Sequence, residues 1–403
     1  MRVLHLSSLY APYAFGGAER VVQTLAEGLS KRGVEVGVAH IAPRSCPPAV
    51  KNGVKVFPLR HRNPLWIEQA ARYPGVVRNL NKIATLFNVL TAADFDRLLA
   101  DFRPDIVHTH SMVEIPPRMW KLAKARGASV VHTLHDYDLL CIRAALFKGE
   151  RRCDNPHLAC AAFSSVKRRY HVHIDRVVGV SDAILRTHVQ HGLFDHLKPD
   201  ERHVVWNPVK AAARPTPDKP RSDSPFTFGF LGRLVPEKGI LTLLEACARL
   251  RAQGWRLRIA GRAPAGDAAL RERFAAPHIE WVGYVEPGEF LGGIDTLIVP
   301  SAWHEPFGLT TVEAYAAGVP VLGSDIGGIS EIIRQVDPGA LFRPEDPESL
   351  AQKMRERLAR GRRPMSAQGC AGVLERTQPD FVVEQYREIY RRCAGMHSAA
   401  APA

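Results

Sequence analysis

Residues 297–318 read LIVPSAWHEPFGLTTVEAYAAG. The apolar run that ends at Val299 predicts a buried strand of a parallel sheet. Pro306 and Gly308 predict a turn, and residues 310–317 predict a helix that begins directly after it. A strand, a turn and a helix in this order form one repeat of an alternating α/β fold.

Two glutamates flank the predicted helix N-terminus. Glu305 lies in the loop, and Glu313 lies eight residues later in the first turn of the predicted helix. The backbone N–H groups of Phe307, Gly308 and Leu309 lie between them, and a helix N-terminus attracts anions. This arrangement suits a ligand with both phosphate and hydroxyl groups, such as a sugar nucleotide. The alternative is that Glu313 only complements the helix dipole and that Glu305 is solvated.

The same alternation extends outward through most of the chain, which predicts parallel sheets. In the first half, strands are predicted at 3–8, 34–40, 54–59, 105–110, 130–135 and 176–181. In the second half, they are predicted at 226–231, 257–260, 279–284, 297–300 and 319–323. Between the halves, Pro208, Pro215, Pro217, Pro220 and Pro225 mark a linker. The chain is therefore expected to form two doubly wound α/β domains, with ligands at the carboxyl ends of their strands.

Composition limits the class of protein. The chain has 403 residues, of which 46% are hydrophobic, and no apolar run is long enough to span a membrane. The N-terminus does not read as a signal peptide, and seven scattered cysteines favour a reduced, cytoplasmic protein. The net charge is +13, yet no nucleic-acid motif is present. This charge suits an anionic donor, an anionic acceptor or an anionic membrane face, and segments 72–82 and 167–176 are its basic stretches. The alternative is a general bias toward arginine in the composition, without a functional cause.

A second candidate site lies between the predicted strand at 226–231 and the helix after it. Arg233 and Lys238 stand there between Gly232 and Gly239. Two cations beside a helix N-terminus, flanked by glycines that allow close approach, are typical of a diphosphate site. The alternative is a pair of solvated loop cations.

Weaker candidates stand at other predicted strand ends. Gly16 and Gly17 follow the first strand and precede a helix, so their amides are placed to face a phosphate or a sugar. His135 ends the strand predicted at 130–135. Two D-x-D sequences, 94–96 and 136–138, have the form of a metal motif, but the first lies on a predicted helix, where residues i and i+2 do not face one another.

One loop contains a concentration of cysteines. Cys141, Cys153 and Cys160 occur there with His157 between the last two, and this set has the residue types of a zinc site. The spacings of the cysteines, 12 and 7 residues, match no common zinc-finger pattern. Reduced cysteines that bind no metal are the expected interpretation, and the zinc alternative stays open.

Four motifs in order resemble those of retaining glycosyltransferases of the GT4 type. They are the glycine loop at 15–20, the phosphate loop at 232–239, the E-x7-E segment at 305–313 and the glycine block at 318–331. The resemblance covers nearly the whole chain. It implies the GT-B fold, in which two Rossmann-like domains face a central cleft. The expected segments are an acceptor-binding domain at 1–205, a linker at 206–225, a nucleotide-sugar-binding domain at 226–380, and a helix that crosses back with a frayed tail at 381–403.

The resemblance also implies a role for each candidate residue. Arg233 and Lys238 would neutralise the diphosphate, Glu313 would bind the ribose, and Glu305 and His135 would contact the transferred sugar. The resemblance and the residue positions together suggest further donor contacts at Gly16, Gly17, Gly261, Tyr284, Val285, Phe307, Gly308 and Leu309.

The implied function is transfer of a sugar from a nucleotide diphosphate sugar to an acceptor hydroxyl with retention of configuration. No metal and no other cofactor is expected. The acceptor is expected to be a glycan or a lipid-linked glycan in polysaccharide or glycolipid synthesis, reached at the cytoplasmic membrane face. The alternatives are an epimerase or phosphorylase of the same architecture and a non-catalytic sugar-nucleotide-binding protein.

Overall fold

The structure is a computed structural model. It describes residues 1–13, 16–44, 46–66, 72–153, 155–210, 224–251, 253–263, 266–363, 365 and 367–399. Phe15 of the first glycine loop, most of the predicted linker and the end of the predicted tail lie outside the described residues.

The chain divides into two compact units. The first contains Met1–Leu146, Cys153–Pro208 and Pro379–Ala403, and the second contains Phe147–Arg152 and Val209–Gln378. Each unit has its own parallel sheet, which confirms the predicted α/β fold class.

The first unit is built on an eight-stranded sheet. Its strands are β1 (Arg2–Ser7), β2 (Glu35–Ala42), β3 (Ala49–Lys51), β4 (Val54–Arg60), β5 (Ile106–Thr109), β6 (Ser129–Leu134), β9 (Arg176–Gly179) and β10 (Arg202–Val204). The spatial order is β10-β9-β6-β5-β1-β2-β4-β3, and every pair is parallel except the edge pair of β3 and β4. The described helices are α1 (Gly17–Ser30), α2 (Gly75–Leu86), α3 (Val89–Phe102), α4 (Arg118–Ala125), α5 (Leu158–His171), α6 (Asp182–Gln190) and α14 (Pro379–Ala399).

The second unit is built on a six-stranded parallel sheet. Its strands are β11 (Phe226–Leu231), β12 (Trp255–Ala260), β13 (Ile279–Gly283), β14 (Thr296–Val299), β15 (Val321–Ser324) and β16 (Leu341–Phe342). The hairpin of β7 (Phe147–Lys148) and β8 (Arg151–Arg152) groups with this unit. The described helices are α7 (Ile240–Cys247), α8 (Ala268–Arg273), α9 (Pro287–Gly292), α10 (Leu309–Ala316), α11 (Gly327–Arg334), α12 (Pro347–Arg360) and α13 (Ala367–Arg376).

Both sheets reverse their strand order at one point. In the second sheet the order is β13-β12-β11-β14-β15-β16, so the chain moves outward in one direction from β11 and in the other from β14. In the first sheet the reversal lies between β1 and β5. Loops leave such a pair of strands in opposite directions and open a crevice at the carboxyl ends, where α/β sheets bind ligands.

The last helix belongs to the core of the first unit. Val382, Val383, Tyr386 and Tyr390 of α14 are buried in one cluster with apolar side chains of α1, β1 and β2. The Tyr390 hydroxyl lies 2.6 Å from His108 Nδ1, and the Tyr386 hydroxyl lies 3.1 Å from Thr133 Oγ1. The helix therefore packs against the centre of the first sheet, at β5 and β6.

The sequence located the long strands well and the helix ends less well. The helix predicted at 310–317 begins one residue earlier, at Leu309. Glu313 is therefore the fifth residue of α10 and lies in its second turn, so its predicted place in the first turn is wrong. The physical reason is that Gly308 adopts a φ of +105° and caps the helix directly.

Candidate functional site

The candidate site of the second unit lies at the reversal point of its sheet. The loop after β11 contains Arg233 and ends in a short 3-10 turn, Pro236–Lys238. The loop after β14 contains Glu305, Phe307 and Gly308. Because β11 and β14 are neighbours in the sheet, the two motifs that the sequence placed far apart meet here.

A salt bridge joins the two loops. Lys238 Nζ lies 2.5 Å from Glu305 Oε2. The same carboxylate oxygen accepts hydrogen bonds from Trp303 Nε1 at 2.9 Å and from Ser301 Oγ at 3.3 Å. Lys238 Nζ also stands over the Trp303 ring, 5.5 Å from its centroid. Three donors on one oxygen hold the glutamate and the lysine in defined positions, so both are preorganised.

Four loops pack so closely here that glycines are required. A Cβ on Gly239, whose φ is +72°, would lie 1.7 Å from the Pro300 carbonyl oxygen. A Cβ on Gly261 would lie 1.8 Å from the Gly232 carbonyl oxygen. Backbone also meets backbone at Gly328, whose N–H donates to the Glu305 carbonyl at 2.8 Å. The glycines therefore set the distance between the loops at the carboxyl ends of the strands.

Arg233 is near these residues in sequence but does not join their cluster. Its side chain is 62% exposed, and Nη2 lies 3.5 Å from Glu237 Oε1. A contact this long and this exposed adds little stability. Arg233 is therefore available to an anionic ligand at low cost.

The remaining predicted donor contacts lie on neighbouring loop ends of this sheet. Gly261 follows β12, and Tyr284 and Val285 follow β13. Tyr284 is exposed, and its ring carries the Arg262 guanidinium at 5.0 Å from the centroid. Such a stacked pair offers a flat surface with a positive charge. Phe307 and Gly308 are buried beside the start of α10, while Leu309 and Glu313 are half-buried.

The predicted glycine loop of the first unit has a different local structure. Gly16 is the N-cap of α1, and Gly17 is its first residue. The carboxylate of Glu19 accepts hydrogen bonds from the backbone N–H groups of Gly16 and of Glu19 itself, and burial raises its pKa. The end of this helix is thus already occupied by a carboxylate, which a ligand group would have to displace or complement.

His135 ends a chain of three histidines that the sequence did not predict as a unit. His135 Nε2 lies 3.0 Å from His110 Nδ1, and His110 Nε2 lies 3.0 Å from His5 Nδ1. His5 and His110 are fully buried at the reversal point between β1 and β5. Each inner ring therefore orients the next one, and the last orients His135.

The buried end of this chain selects a tautomer. His5 Nε2 has no hydrogen-bond partner within the described part of the chain. A buried N–H without an acceptor is costlier and rarer than an underused acceptor, so this atom carries no proton. Each Nδ1–H then donates outward along the chain, which places the proton of His135 on Nδ1. Burial lowers the pKa of His5 to about 3 and that of His135 to about 4, so both rings are neutral at pH 7.

The buried histidines of the first unit also have the residue type of metal ligands. Among the described residues, His5, His108 and His110 are the one group whose ligand atoms lie within 4.8 Å of one another. Both nitrogens of His108 already have partners, Tyr390 and Thr133. The D-x-D residues are also engaged, because Asp94 pairs with Arg62 and Arg97, Asp96 pairs with Arg126, and Asp138 pairs with Lys167.

Sequence reasoning missed three residues that shape these sites. Ser301 and Trp303 donate hydrogen bonds to Glu305, and His5 lies behind His110 in the chain that orients His135. A signal existed for the histidines, since His5, His108 and His110 all stand on the strands predicted at 3–8 and 105–110. The two hydrogen-bond donors to Glu305 gave no such signal, because a serine and a tryptophan in a loop do not by themselves indicate a binding site.

Comparison with known proteins gives the family. Residues 15–212 match the model of Glycosyltransferase Family 4, and residues 225–360 match the model of Glycosyl transferases group 1. The chain is a family 4 glycosyltransferase. It is similar to an uncharacterized 42.6 kDa protein in the cps region of Klebsiella pneumoniae, with 29% identity over 398 residues, which cover 97% of this chain and 100% of that protein.

Solved structures share the architecture of this glycosyltransferase. Sucrose-phosphate synthase from Thermosynechococcus elongatus has a TM-score of 0.76 and 18% identity, covering 99% of this chain and 100% of that one. HepE from Anabaena in complex with UDP-glucose has a TM-score of 0.62 and 17% identity, covering 99% of this chain and 100% of that one. At these identities the likeness shows the fold, and it confirms the predicted GT-B class.

Proposed function

We propose that this glycosyltransferase transfers a sugar from a nucleotide diphosphate sugar to an acceptor hydroxyl, with retention of configuration and without a metal ion. The product would be a cell-surface polysaccharide or a glycolipid. The observation that carries the proposal is the Lys238–Glu305 pair at the sheet reversal point, where a cation for phosphate and an acceptor for hydroxyl groups are held together.

Each side chain then has a role that its chemistry supports. Lys238 and Arg233 neutralise the diphosphate, including the charge that develops as it leaves, and the N-terminus of α10 adds the amides of Phe307, Gly308 and Leu309. Glu305 accepts from hydroxyls of the transferred sugar through its second oxygen, Oε1. Glu313 accepts from the ribose hydroxyls. The Tyr284 ring, Val285 and Gly261 line the base, and Gly16 and Gly17 contact the donor.

The reaction is assigned to positioning and electrostatics rather than to a protein nucleophile. The acceptor hydroxyl attacks from the face that the phosphate leaves, and an oxygen of the departing phosphate takes the proton. Neutral His135, with its proton on Nδ1, donates a hydrogen bond to a hydroxyl of the transferred sugar. A neutral ring does not repel a developing positive charge on the sugar, which is the advantage of the low pKa of His135.

The neighbours narrow the choice of donor and pathway. HepE from Anabaena was solved with UDP-glucose, and the Klebsiella relative is described from a cps region. UDP-sugars are therefore the first donors to test, and a polysaccharide is the first class of acceptor.

A donor screen tests this function directly. We expect one nucleotide sugar among UDP, GDP and ADP sugars to be consumed, with a product of the same anomeric configuration by NMR. Turnover is expected to persist when EDTA is added to the assay, because two cations already stand at the diphosphate loop. Inversion of configuration would contradict retention. Loss of turnover in EDTA that Mg²⁺ or Mn²⁺ restores would contradict metal independence.

The predicted basic membrane surface differs from what the structure shows. Lys167 is buried in an ion pair with Asp138, and Arg176 is buried 2.8 Å from Glu201, so these two residues of segment 167–176 add nothing to a basic surface. Lys82 turns inward and donates to the Ile142 carbonyl at 2.5 Å. The cause is the same in each case: a long cationic side chain turns inward to a partner that the sequence does not reveal.

A different feature of the same region supports a membrane partner. Helix α2 exposes a stripe of apolar side chains at helical spacing, Val76, Leu80 and Ile83, which continues at Phe87. The helix carries no acidic residue, and Arg72 and Arg78 are exposed in the same segment. A helix with exposed apolar and basic side chains suits the interface of an anionic membrane. None of the described helices is long and apolar enough to cross a bilayer. A peripheral protein at the cytoplasmic face, acting on a lipid-linked glycan, is therefore our proposal.

Flotation with vesicles tests the α2 surface. We expect Leu80→Asp to lower binding to anionic vesicles by about tenfold, because it replaces an apolar side chain that would enter the interface. Val50→Asp is the matched control, since Val50 is 72% exposed but lies on edge strand β3. Failure of the unmodified protein to float would leave a soluble acceptor as the better interpretation.

A further inference from the structure

The loop between β6 and α5 has little regular structure for its length. In the described part of segment 135–157, the regular structure consists of two strands of two residues each, β7 and β8, and no helix is present. Ala144 and Leu146 adopt positive φ angles of 58° and 49°. Long loops of this kind are uncommon in compact domains unless something holds them, and a metal that joins distant points of a loop is one such device.

The folded loop brings its cysteines and its histidine together in pairs. Cys141 Sγ lies 3.9 Å from Cys160 Sγ, and Cys153 Sγ lies 3.7 Å from His157 Nε2. The ligands of a tetrahedral zinc ion are separated by about 3.8 Å for two sulfurs and about 3.6 Å for a sulfur and a nitrogen, from their usual bond lengths. The distance between the two ligand atoms of each pair therefore already matches one edge of the tetrahedron around a zinc ion.

The helix start places two ligands at a spacing that zinc sites use. His157 is the N-cap of α5, and Cys160 lies in its first turn. The sequence His-x2-Cys is the short spacing of a zinc knuckle with one cysteine replaced by histidine. The cysteine-to-cysteine spacings, 12 and 7, conceal this because they skip over the histidine.

Backbone amides also donate to two of these sulfur atoms. The Arg143 N–H donates to Cys141 Sγ at 3.4 Å, and the Ile142 N–H donates to Cys160 Sγ. Such N–H to sulfur contacts orient and stabilise metal-bound thiolates. Cys141 and Cys153 both interact electrostatically with Cys160, so the three sulfur atoms lie in one region of the loop.

We propose that Cys141, Cys153, His157 and Cys160 form a structural zinc site in the acceptor-side unit. The buried Cys141–Cys160 pair forms the fixed half. The half-buried Cys153 and the exposed His157 form the other half and close onto the ion, since among the described residues these four do not yet bring three ligand atoms within 4.8 Å. Protein side chains then fill all four coordination positions of the zinc ion, so the ion supports folding and takes no part in sugar transfer.

Metal analysis of the full chain tests the proposal. We expect about one equivalent of zinc per chain after expression in zinc-supplemented medium and gel filtration. Replacement of zinc by Co²⁺ should produce a sulfur-to-cobalt charge-transfer band and the intense visible bands of a tetrahedral site. His157→Ala should weaken zinc binding by at least about tenfold without unfolding the protein, because His157 is exposed.

Two control variants keep the test decisive. His173→Ala removes a histidine just beyond the other end of α5 and should leave the zinc content unchanged. Cys247→Ser removes a buried cysteine of the second unit and should also leave it unchanged, whereas Cys160→Ser should abolish it. Absence of zinc together with a Cys141–Cys160 disulfide by mass spectrometry would overturn the proposal. Zinc that persists in both His157→Ala and Cys160→Ser would overturn it as well. None of these results depends on the donor or on activity.

Discussion

Lys238→Ala is expected to lower kcat/KM for the donor by about 100-fold or more while the protein stays folded. The substitution removes a preorganised cation from the diphosphate and leaves the Glu305 carboxylate without its ammonium partner. The loss of one preorganised group at the developing charge is worth about 3–4 kcal/mol in other enzymes, which sets this size. Steady-state kinetics with the donor identified in the screen measures the change in kcat/KM. Calorimetric binding of the nucleoside diphosphate measures how much of this loss is already present as weaker ground-state binding.

Lys353→Ala provides a matched control for this variant. The exposed fractions of the two side chains match, at 24% for Lys353 and 23% for Lys238. Lys353 pairs with Glu356 at 3.3 Å. Both substitutions remove a half-buried lysine with a glutamate partner from the same unit. Equal kcat/KM values in the two variants would show that the Lys238–Glu305 pair has only a structural role.

Gly239→Ala is expected to destabilise the second unit strongly and to weaken donor binding by more than about tenfold. The new methyl group would lie 1.7 Å from the Pro300 carbonyl oxygen, so the two loops that carry Lys238 and Glu305 would have to separate. We expect a loss of about 3 kcal/mol or more in the free energy of unfolding, from backbone strain and from the clash together. Urea unfolding measures the first effect, and nucleotide binding by calorimetry measures the second.

Gly254→Ala separates the two causes. Gly254 has a φ of +82°, close to the +72° of Gly239, but no heavy atom lies within 4 Å of its Cβ position. This variant should therefore show only the cost of a left-handed alanine, about 1 kcal/mol, with normal nucleotide binding. Similar losses in the two alanine variants would mean that the close approach of the loops is not needed.

The Lys238→Ala and Gly239→Ala variants test different parts of the arrangement of Lys238 and Glu305. The lysine variant removes charge and leaves the loops in place, whereas the glycine variant keeps the charge and moves the loops. If both variants lose donor binding while their controls do not, the site requires a cation at a defined distance from Glu305. This is the physical content of a preorganised diphosphate site.

The sequence by itself determined the α/β class, the two halves and the motifs at the strand ends. Buried parallel strands such as β11 and β14 are short apolar runs, and the glycines after them mark the turns, so both signals are local in the chain. The family motifs are local as well. The role of Glu313 at the ribose is implied by the family resemblance. Its position in the second turn of α10 was seen only in the structure.

Only the tertiary structure decided which of these residues meet. Lys238 and Glu305 are distant in sequence and become partners because β11 and β14 are neighbours, while Arg233, in the same loop as Lys238, turns to solvent. The burial of Lys167, the histidine chain behind His135 and the pairing of Cys141 with Cys160 depend equally on contacts across the fold. A sequence pattern reports the direction of a side chain relative to its own strand or helix, but long-range partners depend on the order of strands in the sheet, which adjacent residues do not encode.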